Sequence, residues 1–241
     1  DGGYVIIGTT RSYGAGDDDI YVIKVNAQGN IQWTKTYGHG DADPEEGCSV
    51  KQTKDGGYIL GGAGYYEDYI LMKTDADGNL QWSKNYGYIA GLDYDVQLSD
   101  DGGYIIMGTY TSAGYALLIK TDVSGNVLWC KQYNLYGRVR IAQTTDGGYA
   151  LVGRSYSDFS GSYSGPEMKL IKTDAHGDLL WSKGYSGCSP SSMKSTTDGG
   201  FVITGGTYSD VFVLKTDANG DQIWIKTYGG TASESASEIE E

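Results

Sequence analysis

The sequence predicts an all-β protein built from five copies of one repeat, and three observations carry this prediction. The motif Asp-Gly-Gly followed by an aromatic residue occurs five times, beginning at residues 1, 55, 101, 146 and 198. A second block of constant length, Lys-x4-Gly-x3-Trp-x-Lys-x-Tyr, follows each motif and contains every tryptophan of the chain. No segment shows the 3.6-residue apolar spacing of an amphipathic helix. Repeats of 45 to 54 residues with several short strands predict one domain over residues 1–241, a five-bladed β-propeller with four antiparallel strands per blade.

The second copy shows how the elements of one blade follow from the residues. Residues 49–53 (SVKQT) form a β-prone strand that ends at a Lys-Asp-Gly-Gly turn, because glycine tolerates positive φ and aspartate bonds its own backbone. Residues 58–62 form the next strand, and residues 68–74 (DYILMKT) form the third. Residues 75–79 (DADGN) predict a turn with a glycine bulge, and residues 80–86 (LQWSKNY) predict the fourth strand. We name these strands A to D, with strand A innermost.

The two ends of the sequence predict how the ring of blades closes. The chain opens at the Asp-Gly-Gly turn before a strand B, and residues 236–241 resemble the strands A that precede the other turns. We therefore expect the C-terminal strand to pair with the N-terminal blade and complete its sheet. This pairing would remove the open edge that an unclosed array exposes.

Charge and composition disfavour several classes of function. The net charge of −13 and the pI of about 4.5 disfavour a nucleic-acid partner, because an acidic surface repels the phosphate backbone. No apolar run approaches the roughly 20 residues that span a bilayer, so we expect no transmembrane segment. The three cysteines (Cys48, Cys130 and Cys188) and the two histidines lack the spacing of a metal site or a disulfide framework. We expect neither a metal ion nor a cofactor.

Two motifs resemble those of known propeller families. Residues 73–87 (KTDADGNLQWSKNYG) resemble the tryptophan-docking motif of quinoprotein propeller repeats, and T-x-D-G-G-Y-I-x-x-G resembles the repeat of bacterial and archaeal Asp-Gly-Gly-Tyr surface or secreted proteins. The second resemblance implies an extracellular or cell-surface protein, either a monomer or part of a larger surface protein. Quinone binding is not implied, because no matching calcium and catalytic aspartate set is present. The first resemblance implies that five tryptophans dock each blade onto its neighbour: Trp33, Trp82, Trp129, Trp181 and Trp224.

Some polar residues are of types that also occur in metal sites or catalytic sites. The turn at residues 75–79 is similar in composition to a calcium loop, but it lacks the spaced ligands and the closing glutamate of an EF-hand. Paired carboxylates would suit a glycoside hydrolase, and Asp93, Asp95 and Glu67 are candidates, although acidic surface residues are the simpler explanation in so acidic a chain. The ten repeated lysines are expected to lie along blade surfaces, with their charges in water or against carboxylates.

Loop lengths predict where a ligand binds. The A–B and C–D turns have the same length in every copy, whereas the B–C and D–A connections vary, and these two connections leave a blade on the same face. Variable loops on a rigid scaffold commonly carry recognition sites. Tyrosines that the repeat does not explain gather on this face, and the long loops at residues 38–47 and 155–166 are expected to form its rim. The predicted ligand-binding residues are Tyr13, Tyr66, Tyr110, Tyr156 and Tyr208.

These observations predict a non-enzymatic binding module. Tyrosine, serine and aspartate can stack and form hydrogen bonds, but they are poorly equipped for proton transfer. The partner is expected to be a protein or a glycan on the B–C/D–A face. Carbohydrate binding of the lectin type is the alternative, and glycoside hydrolysis is the third hypothesis.

Overall fold

The computed structural model describes residues 1–14, 18–38, 46–64, 68–88, 95–110, 114–155 and 167–240. These ranges contain nineteen β-strands and no helix, so the predicted all-β class is confirmed for them. It follows that they include no helix able to cross a membrane.

The strands form five antiparallel sheets in chain order. The first sheet contains β1 (Tyr4–Thr10), β2 (Asp19–Val25) and β3 (Ile31–Tyr37). The second contains β4 (Glu46–Gln52), β5 (Tyr58–Ala63), β6 (Asp68–Thr74) and β7 (Leu80–Tyr88). The third contains β8 (Asp95–Leu98), β9 (Tyr104–Tyr110), β10 (Tyr115–Thr121) and β11 (Val127–Tyr133). The fourth contains β12 (Tyr136–Gln143), β13 (Tyr149–Ser155), β14 (Glu167–Thr173) and β15 (Leu179–Ser186). The fifth contains β16 (Ser189–Ser195), β17 (Phe201–Gly206), β18 (Val211–Thr216) and β19 (Gln222–Tyr228).

Each four-stranded sheet follows the order that the repeat predicts. Its strands lie in sequence order, with strand A at one edge and strand D at the other. The middle strands are apolar and buried on both faces, as β5 and β13 show, because layers cover both sides of the sheet. The strands D are more exposed, and exposed residues alternate with less exposed ones along most of β11 and β15. This burial pattern places the core on strands B and C.

The chain divides into two compact units, which are Asp1–Gly108 with Ile119–Leu128, and Thr109–Leu118 with Trp129–Glu241. The first unit has a core of aliphatic side chains from the first and second sheets, including Ile20, Leu60 and Met72. The second unit has a core from the fourth and fifth sheets, in which Phe201 and Phe212 are fully buried.

The first sheet differs from the expectation, because it has three strands and not four. Residues 229–240 belong to no ladder, and Glu241 lies outside the described residues. The segment runs beside β16, where the Ile239 amide donates to Ser192 Oγ at 3.3 Å and Lys194 pairs with Glu240 at 2.9 Å. A run of serine, alanine and glutamate has low β propensity, which explains why it forms no strand here. The predicted closure by this segment is therefore not found.

Candidate functional site

Each sheet has two different ends. In the second sheet, Tyr58 directly after the Asp-Gly-Gly turn pairs with Thr74 directly before the C–D turn, and Ala63 pairs with Tyr69 at the opposite end. We call the end with the A–B and C–D turns the turn end. The end with the B–C and D–A connections is the loop end. Of the predicted ligand-binding tyrosines, those that the structure describes (Tyr13, Tyr110 and Tyr208) belong to the loop ends.

At the turn end, a buried lysine holds the Asp-Gly-Gly turn. The Lys73 ammonium lies 2.9 Å from the Asp55 carboxylate and donates a 2.8 Å hydrogen bond to the carbonyl oxygen of Thr74. The Lys73 side chain is only 5% exposed, whereas that of Asp55 is 58% exposed. Five of the ten repeated lysines are therefore structural. The equivalent ion pairs are Lys24–Asp1, Lys120–Asp101, Lys172–Asp146 and Lys215–Asp198.

The turn carboxylates are suited to structure and not to proton transfer. Hydrogen bonds from the Thr53 hydroxyl and the Lys73 ammonium lower the pKa of Asp55 to about 2. A carboxylate held ionised in this way is a poor general acid or base near neutral pH. Gly57 completes the turn because a Cβ at this position would lie 2.1 Å from the Thr74 carbonyl oxygen.

In the C–D turns, a side-chain oxygen accepts hydrogen bonds from amides of the same turn, so the turn does not require a calcium ion to hold its shape. One Asp75 carboxylate oxygen accepts the backbone amides of Asp77 and Asn79 at 2.9 and 2.8 Å, and the other accepts the Asn79 side-chain amide. In the first sheet the uncharged Asn26 accepts the same two backbone bonds. The turn thus needs an oxygen acceptor and not a charged ligand. In the described part of the chain, no three His, Cys, Asp or Glu residues are close enough to hold a metal ion.

A set of three side chains on strand D contacts the C–D turn of the next sheet. The Trp33 ring lies against Gly78, where a Cβ would be 3.0 Å from the indole, and it packs edge-on against Tyr58 with ring centroids 5.8 Å apart. Lys35 donates to the Asn79 side chain at 3.1 Å, and the hydroxyl of Tyr37, the third residue of the set, donates to the carbonyl oxygen of Gly78. We call this set the docking triad. Equivalent triads begin at Trp82, Trp129 and Trp181 and contact Gly125, Gly177 and Gly220 respectively.

The fifth docking triad differs from the other four. Trp224 is 39% exposed and Tyr228 is 54% exposed, whereas the other four tryptophans are less exposed. All seven residues of β19 are exposed. Strand D of the fifth sheet is therefore exposed along its whole length.

At the loop end of the first sheet, one predicted tyrosine is well exposed. Tyr13 is 65% exposed, and its ring stacks on Tyr21 with centroids 5.8 Å apart and an interplanar angle of 21°. Beside it in sequence, Arg11 forms a bidentate pair with Asp18. The Arg11 hydrogen bond lowers the pKa of Asp18. This end therefore presents an aromatic face next to fixed polar groups.

At the loop end of the fifth sheet, Tyr208 is 78% exposed. It sits on a short turn in which the Thr207 amide donates to the Asp210 carbonyl oxygen at 2.7 Å and the Asp210 amide donates to the Thr207 hydroxyl. The backbone that carries the exposed ring is thus internally hydrogen-bonded.

The other predicted ligand residues are described only in part. Tyr110 is the last residue of β9, which places it at a loop end. Tyr66 and Tyr156 lie outside the described residues, as do residues 39–45 and 156–166 of the two predicted rim loops.

The carboxylates considered for catalysis and the three thiols have structural surroundings where they are described. Asp95 accepts a 2.8 Å hydrogen bond from Ser49 on the neighbouring inner strand, while Asp93 and Glu67 lie outside the described residues. Burial raises the pKa of the Cys48 thiol to about 11 and also raises the pKa of Cys130 and Cys188. Raised thiol pKa values indicate unreactive cysteines.

Sequence reasoning missed one group of side chains. Arg138, Arg140 and Arg154 lie on β12 and β13 of the fourth sheet, with Arg154 at the loop end and Arg140, which pairs with Val152, midway along the sheet. The chain has only four arginines, so three of them in one blade is a signal that the sequence already contained.

Comparisons with known proteins give a fold but no family. No protein-family model matches the sequence, and no curated protein matches it. The structure is similar to that of a protein of unknown function from Bacteroides caccae, with 11% identity and a TM-score of 0.56 over 87% of this chain and 78% of that one. It is also similar to the Dos1 propeller, with 16% identity and a TM-score of 0.51 over 87% of this chain. This chain spans 55% of the Dos1 structure.

A third similar structure is the periplasmic gluconolactonase PpgL of Pseudomonas aeruginosa. Its identity to this chain is 12%, and the TM-score is 0.61 over 96% of this chain and 69% of that one. Identities this low support a shared fold and leave function to the site itself. Five antiparallel blade-like sheets and these neighbours together show that the chain has a β-propeller fold.

Proposed function

We propose that this protein is a non-enzymatic binding module that recognises a protein or a glycan through the loop ends of its sheets. The proposal includes an extracellular or cell-surface location. The description of the similar Pseudomonas aeruginosa protein as periplasmic is consistent with a location outside the cytoplasm.

One contrast between the two ends of the sheets carries the proposal. At the turn ends, the same aspartate–lysine ion pair serves the scaffold in every copy, and the docking triad does so in four of them. At the loop ends, the exposed Tyr13 and Tyr208 lie outside the repeated scaffold contacts. A partner needs groups that the scaffold does not use, and the loop ends supply them.

Several observations weigh against catalysis. Among the described carboxyls with a clearly shifted pKa, all are shifted downward, as ion-paired or hydrogen-bonded groups are. A general acid at neutral pH needs the opposite shift. The described thiols are also unsuited to nucleophilic attack. Enzymes occur among similar folds, so a glycoside hydrolase stays the third candidate.

Carbohydrate binding is the second candidate, and the exposed tyrosines favour it. An exposed ring such as that of Tyr13 offers a flat apolar face with a hydroxyl at its edge, and stacking on Tyr21 limits its freedom in advance. These properties suit a sugar ring as well as a protein surface.

A glycan array and a protein-interaction screen on the intact chain test the proposal, with variants that separate the two ends. Tyr13 and Tyr4 are nearly equally exposed, at 65% and 64%, but Tyr4 lies beside the Asp-Gly-Gly turn at the opposite end of the first sheet. We expect Tyr13→Ala and Tyr208→Ala to weaken binding about tenfold or more without changing the melting temperature. The matched control Tyr4→Ala should leave binding unchanged. Loss of binding in Tyr4→Ala alone would contradict the proposal.

A further inference from the structure

Four of the five docking triads contact the same two groups on the next sheet. Besides the turn glycine, each tryptophan packs against the aromatic residue directly after the Asp-Gly-Gly turn, with ring centroids from 5.8 to 6.4 Å apart. We call the turn glycine and this aromatic residue the acceptor face of a sheet. A docking triad therefore fits one defined surface. The pairs of rings are Trp33–Tyr58, Trp82–Tyr104, Trp129–Tyr149 and Trp181–Phe201.

One docking triad and one acceptor face are exposed. Trp224 and Tyr228 on the fifth sheet are 39% and 54% exposed. On the first sheet, Tyr4 holds the position that Tyr58 holds on the second, and it is 64% exposed where Tyr58 is 3% exposed. The turn glycine of the first sheet, Gly29, is exposed, whereas the other four turn glycines are buried. Two surfaces of the kinds that fit each other elsewhere in the chain are thus accessible.

The polar groups of these two surfaces also match. In the four triads that are in contact, the lysine donates to the Asn or Asp after the turn glycine, as Lys35 does to Asn79. Lys226 holds this position in the fifth triad, Asn30 follows the turn glycine of the first sheet, and both are exposed. The triad tyrosine donates to the carbonyl oxygen of the turn glycine in the same four contacts. The exposed triad and the exposed acceptor face therefore retain every group that such a contact uses.

The inner strands show the same complementarity. Among the described strands β1 pairs only with β2, so it is an edge strand and lacks a strand A. Residues 236–240 form no described strand, but they lie beside β16, where the Ile239 amide donates to Ser192 Oγ. Successive inner strands lie side by side in the same way, since Ser49 on β4 donates to Asp95 on β8. Residues 236–240 thus follow β16 as the inner strand of a further sheet would.

We propose that the fifth sheet of this protein docks onto the first sheet of a second copy of the same chain. Trp224 then packs on Tyr4 and Gly29 of the second copy, Lys226 donates to its Asn30, and residues 236–240 lie along its β1. Because the two surfaces differ, the contact is heterologous, and each copy keeps one of them for a further copy unless the assembly closes into a ring.

A second copy is the occupant that the observations favour over an unrelated partner. The triad is specific for an aromatic ring, a glycine carbonyl oxygen and an amide or carboxylate oxygen in one fixed arrangement, and it makes this contact four times within one chain. The first sheet of a second copy carries that arrangement with its members exposed. The inference goes beyond the proposed ligand binding and does not depend on it.

Sedimentation velocity and native mass spectrometry of the full chain test this inference. We expect the parent chain to be monomeric when dilute and to form complexes of two or more copies as its concentration rises. Trp224→Ala and Tyr4→Ala should each raise the dissociation constant about tenfold or more, because each removes one of two large rings that pack together. Asn30→Lys should also weaken association, since it places a positive charge against Lys226.

Tyr13→Ala is the matched control. Tyr13 belongs to the same sheet as Tyr4 and has nearly the same exposure, 65% against 64%, but it lies at the loop end. This variant should associate as the parent chain does. The outcome is separable from that of the proposed function, because Tyr4→Ala should weaken association alone and Tyr13→Ala should weaken ligand binding alone.

A mixture of two variants identifies the two surfaces that meet. The Trp224→Ala chain keeps an intact acceptor face, and the Tyr4→Ala chain keeps an intact triad. With one chain labelled with nitrogen-15, the mixture should form one-to-one heterodimers that grow no further, at concentrations where each variant alone is monomeric. A parent chain that is monomeric at every concentration, unchanged association of Trp224→Ala, or a mixture without heterodimers would each overturn the inference and leave the triad to a different occupant.

Discussion

The hydroxyl of Tyr37 donates a 2.6 Å hydrogen bond to the carbonyl oxygen of Gly78, forty-one residues further along the chain. Gly78 has a positive φ of 76°, which turns its carbonyl toward the preceding sheet. Burial raises the pKa of Tyr37 to about 12, so the hydroxyl keeps its proton at physiological pH. The same bond joins Tyr133 to Gly177 at 2.7 Å. One turn glycine thus serves as the contact point between successive sheets in both units.

Truncation of a docking tryptophan should destabilise the protein in proportion to its contacts. Trp129 packs on Gly177 and on Tyr149, with ring centroids 5.9 Å apart. We expect Trp129→Ala to lower the free energy of unfolding by about 3 kcal/mol, the lower end for a large buried aromatic because the indole is partly exposed. Trp224→Ala is the control, with an expected loss below about 1 kcal/mol. Urea unfolding followed by far-UV circular dichroism measures both, and equal losses would contradict the docking role.

The turn glycine offers a second test that separates backbone strain from docking. Gly78 and Gly29 have similar positive φ values, 76° and 81°, but only a Cβ on Gly78 would touch a tryptophan. Gly29→Ala should cost about 1–2 kcal/mol from the left-handed backbone alone. Gly78→Ala should cost at least about 1 kcal/mol more, because the methyl group overpacks against Trp33. Thermal unfolding of the two variants measures the difference, and identical melting temperatures would show that the contact carries no energy.

Acid should weaken the fold through the turn aspartates. Although burial by itself would raise the pKa of Asp146, hydrogen bonds from Lys172 and Thr144 lower it to about 2, and Asp55 has a similar value. A carboxyl with a lower pKa in the folded state contributes stability above its unfolded pKa of about 4, and this contribution is lost as the pH falls toward 2. Urea midpoints should therefore stay constant from pH 7 to 5 and decline from pH 4 to 2.

Asp55→Asn isolates one of these contributions. The variant should be less stable than the parent chain at pH 7, because Lys73 stays buried without its counter-charge. The difference between the two proteins should shrink as the pH falls from 4 to 2, because the parent carboxyl then also becomes neutral. A constant difference across this range would show that Asp55 is not the titrating group.

Removal of divalent metal should leave the fold unchanged. The acceptor oxygens of the C–D turns are already used by amides of the same turn, and Asn26 performs the role without a charge. We expect the same melting temperature with EDTA, with added calcium and in buffer alone. A marked decrease with EDTA that added calcium reverses would identify the turns as metal sites.

Much of the scaffold was predictable because its signals are local. Strand β6 is found at Asp68–Thr74, as the sequence predicts, and β7 begins at Leu80 after the predicted glycine bulge. Turn residues and alternating apolar residues act over a few positions, so one copy is enough to locate them. The partner of each repeated lysine was not predictable in the same way, since Lys73 meets an aspartate eighteen residues earlier only after the hairpins have formed.

The sequence by itself determined the all-β class, the five repeats, the turn chemistry and the division of each blade into constant turns and variable connections, because each of these depends on neighbouring residues. Tertiary structure alone decided which lysines are buried, which glycine each tryptophan meets and that the first sheet has three strands. It also brought Tyr136 under Arg154 and left the buried Nε without an acceptor. The physical reason is that burial and pairing depend on residues far apart in the chain, whose distances are set by how the strands align and pack.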